Sequence, residues 1–379
     1  MGKYIVFILT AIYIVLTCPA CKNNRNATPH TESGDTISLR YSDILHIVTH
    51  KDYTTVTMRN PWDTLKALHT YILIDKNKPA PSQLPEGTVI QTPLENSLVY
   101  SSVHCSILEE LHALNCIKGV CDIKYIRQSA ILGKYRKGEI IDAGNSMSPD
   151  IEKIIEMNPD AILLSPFENS GGYGQIEKLN VPIIECADYM ESTPLGRAEW
   201  MRFFGMLFDR EKEADSLFHH IENGYLALKK IAATAPKKPT VFSELKNGSA
   251  WYVAGGRSTV GQLFKDAGAD YIFSYLPESG SVPLSFETVF DKCQHAEFWF
   301  IKYNQKYDKT YRELKTEYAP YAHFDAFKKQ NIYGCNTKNI DFYEKTPFHP
   351  ESLLKDYIKI FHPSLLEGYR PKYFSKLPN

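Results

Sequence analysis

The chain has 379 residues, 43% hydrophobic, 23% charged and 12% aromatic, and its 43 Lys and Arg nearly balance 44 Asp and Glu. The apolar content excludes a disordered chain, and a net charge of -1 excludes a nucleic-acid binder that works through bulk positive charge. The length suffices for two cores of about 150 residues, and 24 Tyr against seven Met leave open whether the rings pack or stack on a flat ligand.

Lys3 precedes an apolar run at 4–16 and then Thr17-Cys18-Pro19-Ala20-Cys21, the layout of a secretory signal peptide. The run is shorter than the roughly 20 residues a membrane helix needs. As a redox Cys-x-x-Cys pair, Cys18 and Cys21 lack a surrounding βαβ unit. Cys21 after Ala20, followed by a polar stretch from Lys22, resembles a bacterial lipobox, in which that Cys carries lipid and becomes the N-terminus. A signal peptide at 1–20 and a lipidated tether at 21–36 follow from this. The other cysteines, Cys105, Cys116, Cys121, Cys186, Cys293 and Cys335, lack the paired spacing of a zinc site. Export permits disulfides, with Cys116 and Cys121 nearest in sequence, but buried free thiols are the equal alternative.

From 37 to 74 apolar and polar residues alternate, as in Tyr53-Thr54-Thr55-Val56-Thr57-Met58, which predicts β-hairpins. With the proline-rich connection at 79–85, residues 37–92 form a β-rich extension. Strands at 97–102, 119–122, 161–164 and 182–184 then alternate with helices at 105–114 and from Pro149 on. Apolar runs separated by helices predict a buried parallel sheet, hence a first α/β lobe at 93–193. From 195 to 233 apolar residues recur at helical spacing, as in Met201, Phe204, Leu207 and Phe208. One unbroken helix of that length spans roughly 55 Å, so 194–235 is predicted to link two lobes. After Pro236-Lys237-Lys238-Pro239, strands at 240–242, 298–301 and near 332–333 and helices at 260–267 and 350–361 make a second lobe at 236–379.

This layout resembles the substrate-binding lipoproteins of bacterial ABC importers for ferric siderophores, haem and cobalamin. Asp150-Ile151-Glu152-Lys153-Ile154-Ile155 with Asn158-Pro159-Asp160-Ala161 is similar to that family's first-lobe helix-to-strand step. Val253-Ala254-Gly255-Gly256-Arg257-Ser258 is similar to its second-lobe Gly-Ser loop, and Val282-Pro283-Leu284-Ser285-Phe286-Glu287 to the turn carrying its second-lobe glutamate. The resemblance spans roughly 95–365. It implies the class III periplasmic binding protein fold: α/β, two Rossmann-like three-layer lobes joined by a single long α-helix. It further implies a periplasmic, membrane-anchored lipoprotein that is not an enzyme and has no resident cofactor. Its partners would be a small-molecule metal complex, an ABC permease with its ATPase subunit, and the membrane through the N-terminal lipid, with no nucleic acid. The resemblance also assigns Glu152 and Glu287 to permease docking, each contacting an arginine by a charge-assisted bond. The alternative for both is a first-turn Glu favoured by the helix dipole.

In open α/β sheets, ligands lie beyond the carboxyl ends of the strands. That rule selects Ser102, His104, Tyr125, Phe167 and Tyr173 in the first lobe, and Trp251, Tyr252, Arg257, Tyr303 and Asn336 in the second. Rings mixed with a few polar and cationic groups suit a large, flat, partly anionic ligand, a description that ferric siderophores, haem and cobalamin share. For each ring, core packing is the competing use. Gly-x-Ser-x-Gly, His-Glu-x-x-His, Gly-x-x-x-x-Gly-Lys-Ser/Thr and Gly-x-Gly-x-x-Gly do not occur in the chain. The rival readings are therefore an exported α/β enzyme without a recognisable motif and a surface interaction protein.

Overall fold

Alternating apolar residues build five strands at the start of the described chain: β1 (Asp35–Ile37), β2 (Leu45–Thr49), β3 (Thr54–Arg59), β4 (Ala67–Asp75) and β5 (Thr88–Thr92). The computed structural model describes residues 34–168 and 172–379; the expected signal peptide, Cys21 and the expected tether up to residue 33 lie outside them. The five strands pair in sequence order, antiparallel except for β4 with β5. The expected hairpins are thus one sheet, which begins at Asp35 and takes in the end of the expected tether. Ile47, Val56, Met58 and Tyr71 alternate onto its buried face.

The first lobe contains β6 (Ser97–Val99), α1 (Ser102–Glu110), β7 (Ile117–Val120), α2 (Ser129–Arg136), β8 (Ile141–Asp142), the short pair β9 (Gly144–Asn145) and β10 (Ser148–Pro149), α3 (Ile151–Met157), β11 (Ala161–Leu164) and β12 (Ile183–Glu185). Its sheet is parallel with the order β12-β11-β6-β7-β8. All four residues of β11 are buried, as a strand covered on both faces requires. The N-terminal sheet lies along the edge strand β12: Tyr71 on β4 donates its hydroxyl to the Ile183 carbonyl and accepts the Glu185 N–H, at 3.1 and 2.9 Å.

The predicted linking helix is divided into α4 (Pro194–Glu199), α5 (Met201–Phe208) and α6 (Glu211–Ala232). The break between α5 and α6 falls at Asp209, whose backbone is left-handed with φ 55°. A Cβ on Gly205 would stand 2.8 Å from the Ala214 Cβ, so the glycine lets α5 and α6 approach closely across the break. The 22 residues of α6 span about 33 Å at 1.5 Å each.

The second lobe contains β13 (Thr240–Ser243), β14 (Lys246–Asn247), β15 (Ala250–Ala254), α7 (Thr259–Asp266), β16 (Asp270–Tyr271), β17 (Ser281–Leu284), α8 (Phe286–Cys293), β18 (Phe298–Tyr303), α9 (Tyr311–Glu317), α10 (Asp325–Lys328), β19 (Ile332–Asn336), α11 (Phe342–Lys345), α12 (Pro350–Phe361) and β20 (Ser375–Lys376). Its main sheet runs β16-β13-β18-β19-β20, parallel but for β20, and β14, β15 and β17 form a small antiparallel sheet. Helix α12 occupies the predicted residues, with Pro350 at its first turn, where the missing N–H costs nothing. Among the described residues no helix is long and apolar enough to cross a membrane. Cys105, Cys116, Cys121, Cys186, Cys293 and Cys335 are free thiols, all buried except the half-buried Cys116.

Candidate ligand site

A cavity of about 700 Å³ opens where strands β6 and β11 end. Tyr100 and Ser101 follow β6, Phe167 follows β11, Met147 projects from the β9–β10 turn, and Tyr173 closes the wall from the segment before β12. Tyr173 donates its hydroxyl to Glu185 Oε1 at 2.5 Å. Phe167 is 47% exposed and Met147 78% exposed, so both present apolar surface at the cavity. Phe167 and Tyr173, both selected by the strand-end rule, line this one cavity. Tyr100 and Met147 went unselected; the same rule finds Tyr100, which directly follows β6, whereas Met147 lies on a turn between strands of two residues each.

The other expected contacts are dispersed. Ser102 at the start of α1 points across to the second lobe, 3.4 Å from Glu344 Oε1. Tyr125 is two-thirds exposed, with Lys124 Nζ 4.9 Å from its ring centre. Tyr252 is exposed on β15 opposite Pro283, and Arg257 is exposed on the loop before α7. The Tyr303 ring packs on Gly334, where a Cβ would meet it at 2.8 Å.

Three expected ligand contacts are enclosed by the fold. His104 is 1% exposed and its Nε2 lies 2.9 Å from Asp188 Oδ1. Trp251 is fully buried among Phe242, Trp299 and Tyr321, and its indole N–H donates to the Ser243 carbonyl. Asn336 accepts the Gln305 N–H and donates to the Tyr307 carbonyl. Each lies within a regular element rather than on a loop, His104 in α1, Trp251 in β15 and Asn336 at the end of β19, and its side chain falls on the face turned to the core, where it finds polar partners.

Polar pairs tie the two lobes together. Arg127 donates to the Thr337 carbonyl at 2.7 Å and pairs with Asp341 at 3.2 Å. Glu110 at the end of α1 takes both Lys345 Nζ and His349 Nε2 at 2.5 Å. Burial opposes a charge on His349, yet the Glu110 and Glu351 carboxylates raise its pKa to about 9. Between the lobes lies a smaller cavity of about 190 Å³, lined by Val103, Arg197, Lys302 and Tyr343 among others. Arg197 Nε is 2.9 Å from Asp188, and Lys302 pairs with Glu244. Burial disfavours the Lys302 charge, but Glu244 outweighs it and holds the amine above the ordinary lysine value. Glu244 itself is left-handed, φ 71°, directly after β13, which aims its carboxylate at Lys302. Among the described residues no group of three or more His, Cys, Asp or Glu is placed to hold a metal ion.

Glu152 and Glu287 occupy the same place in their helices. Each is exposed at the second position, after a cap in which Asp150 or Ser285 accepts the backbone N–H of Lys153 or Thr288.

A family model described as periplasmic binding protein matches residues 119–338. An uncharacterized lipoprotein of Methanocaldococcus jannaschii is 26% identical over 321 residues, covering 81% of this chain and 75% of the relative. The petrobactin-binding protein of Bacillus subtilis is 29% identical over 114 residues, 29% of this chain and 34% of that one. A periplasmic haem-binding protein of Pseudomonas aeruginosa superposes with a TM-score of 0.58 at 13% identity, over 75% of this chain and 98% of that one. A Saccharomonospora viridis structure described as an ABC-type Fe3+-hydroxamate transport system gives 0.56 at 15% identity, over 71% and 94%. At these identities the likeness shows the fold.

Proposed function

This chain belongs to the periplasmic binding protein family, and from that premise we propose that it captures an iron complex, a ferric siderophore or haem, and delivers it to an ABC permease. The observation that carries the reading is the cavity at the ends of β6 and β11. Its volume of about 700 Å³ falls within the range of small-molecule sites, and Phe167, Tyr173 and Met147 give a flat complex apolar and aromatic wall to lie against. Relatives and structural neighbours that bind petrobactin and haem support the choice of cargo class.

The docking glutamates and the lipid at Cys21 belong to the same proposal. Two exposed carboxylates in matching helix positions, one per lobe, suit a permease that must receive both lobes at once. Lipidation at Cys21 is supported by the lipoprotein names of relatives.

The test is a titration of the mature chain with haem, a ferric catecholate, a ferric trihydroxamate and cobalamin, followed by tyrosine and tryptophan fluorescence. One iron complex is expected to bind with a Kd of about 1 μM or tighter, about 8 kcal/mol of binding free energy. Phe167→Ala is expected to weaken it by about tenfold, the contribution of one large apolar contact. Silence across the panel overturns the iron reading, and binding of cobalamin alone replaces it.

A further inference from the structure

The N-terminal sheet reaches the cavity through a chain of polar contacts. His69 lies on β4, and its Nδ1 is 3.1 Å from Glu185 Oε2 at the end of β12. Its Nε2 is 2.7 Å from Thr88 Oγ1 on β5. The other oxygen of the same carboxylate, Glu185 Oε1, accepts the Tyr173 hydroxyl, and Tyr173 forms part of the cavity wall. The His69 ring also stacks on Tyr71, with centroids 4.4 Å apart and planes at 15°.

Glu185 is only 9% exposed, and a carboxylate so enclosed needs donors on both oxygens. A neutral imidazole presenting a bare nitrogen to it would be repelled, so Nδ1 carries the hydrogen and Thr88 fixes the ring from the far side. The carboxylate cannot shift toward the cavity or away from it without losing one of its two partners. Its position, and with it the Tyr173 phenol, is therefore referenced to the N-terminal sheet.

We propose that the N-terminal sheet is a working part of the ligand site, with His69 a positioning residue that sets the Tyr173 ring in the cavity wall through Glu185. The inference rests on the cargo reading only in taking this cavity as the ligand site. It gives the extension a role in affinity beyond covering the edge of the first-lobe sheet.

The experiment compares the mature chain with His69→Phe, which keeps a ring on Tyr71 but no donor, and His69→Gln, whose amide donates again. Hydrogen exchange of the ligand-free proteins is read by mass spectrometry on peptides spanning 172–179 and 97–120. His69→Phe is expected to speed exchange at 172–179 by about tenfold, the scale of one hydrogen bond to a charged group, with 97–120 unchanged. His69→Gln is expected to restore the slow rate, and His69→Phe is expected to add nothing in a Tyr173→Phe background. Unchanged exchange at 172–179, or equal acceleration at 97–120, overturns the proposal. If His69→Phe does not fold, Thr88→Val takes its place with the same expected local effect. Haem and a ferric trihydroxamate are titrated in parallel. A probe that binds the wild type and His69→Phe equally overturns the proposal, whereas failure of both probes to bind any variant, with the exchange pattern intact, removes that cargo and leaves the positioning role supported.

Discussion

His349 gives the contact between the lobes a pH dependence of definite sign. Its folded pKa of about 9 lies above the ordinary 6.5 because Glu110 and Glu351 outweigh burial. A raised value means the stabilisation is complete below about pH 6.5 and is lost as pH rises through about 9. The gap in urea midpoint between wild type and His349→Gln is therefore expected to narrow steadily from about pH 6 to about pH 9.5; a constant gap shows that the charge is not shared with Glu110. Trp251 makes the opposite point about residues picked as ligand contacts. It touches Trp299, Phe242 and Tyr321, so Trp251→Ala is expected to cost about 3–5 kcal/mol of stability. Chemical denaturation measures that loss, and a folded Trp251→Ala protein is expected to keep its ligand affinity. The difference between Trp251 and Tyr252 was legible in the sequence: neighbours on a strand face opposite sides, so only one of the two can point outward. Selecting both by the strand-end rule overlooks that alternation, since both lie within β15.

At the scale of elements, local chemistry decides where the sequence reading succeeds. Helix α12 is legible because Pro350 opens it and His362-Pro363 stops it. The break between α5 and α6 is not, since the apolar periodicity continues across Asp209 and an Asp in a left-handed turn leaves no stronger mark than an Asp on a helix surface. Asp209→Val is expected to cost about 1–2 kcal/mol, the strain of a β-branched residue forced left-handed, while Asp209→Gly is expected to be neutral or stabilising; thermal unfolding distinguishes them. The segment 40–44 was equally hidden. Its successive N–H groups are received by Glu199, from Arg40, Tyr41 and Ser42, and by Glu191, from Asp43 and Ile44. Arg40 and the Tyr41 hydroxyl also bind Glu222. Three glutamates in helical and turn segments read as surface residues in sequence. They are buried because a bent loop more than 140 positions earlier supplies their donors, a partnership no local pattern records.

For the molecule as a whole, the order of strands and helices carried the architecture, and the parallel sheets follow from it. What the order does not carry is how the lobes face each other. The cross-lobe pairs of Arg127, Glu110 and Ser102 join residues about 210 to 240 apart in sequence, and they favour a pair of lobes that moves little on loading. Docking belongs to this scale too. Glu152→Ala with Glu287→Ala is expected to abolish most uptake through the permease while leaving ligand affinity within about twofold, since neither residue lines the cavity at β6 and β11 or the one between the lobes, and exposed charges contribute little to stability. Unchanged uptake in cells carrying the double variant would end the docking assignment.

The thiols set a clock on this molecule. Burial pushes Cys105, Cys121 and Cys335 up to about 12, so the finished fold holds almost no thiolate to oxidise. The unfolded chain has no such shelter, and export, as proposed with the lipid at Cys21, would deliver it where disulfides form. On that proposal each newly exported copy would have to bury its cysteines faster than the surroundings can join them, and any mutation that slows folding would be read out as wrongly crosslinked chains well before it showed as weakened binding.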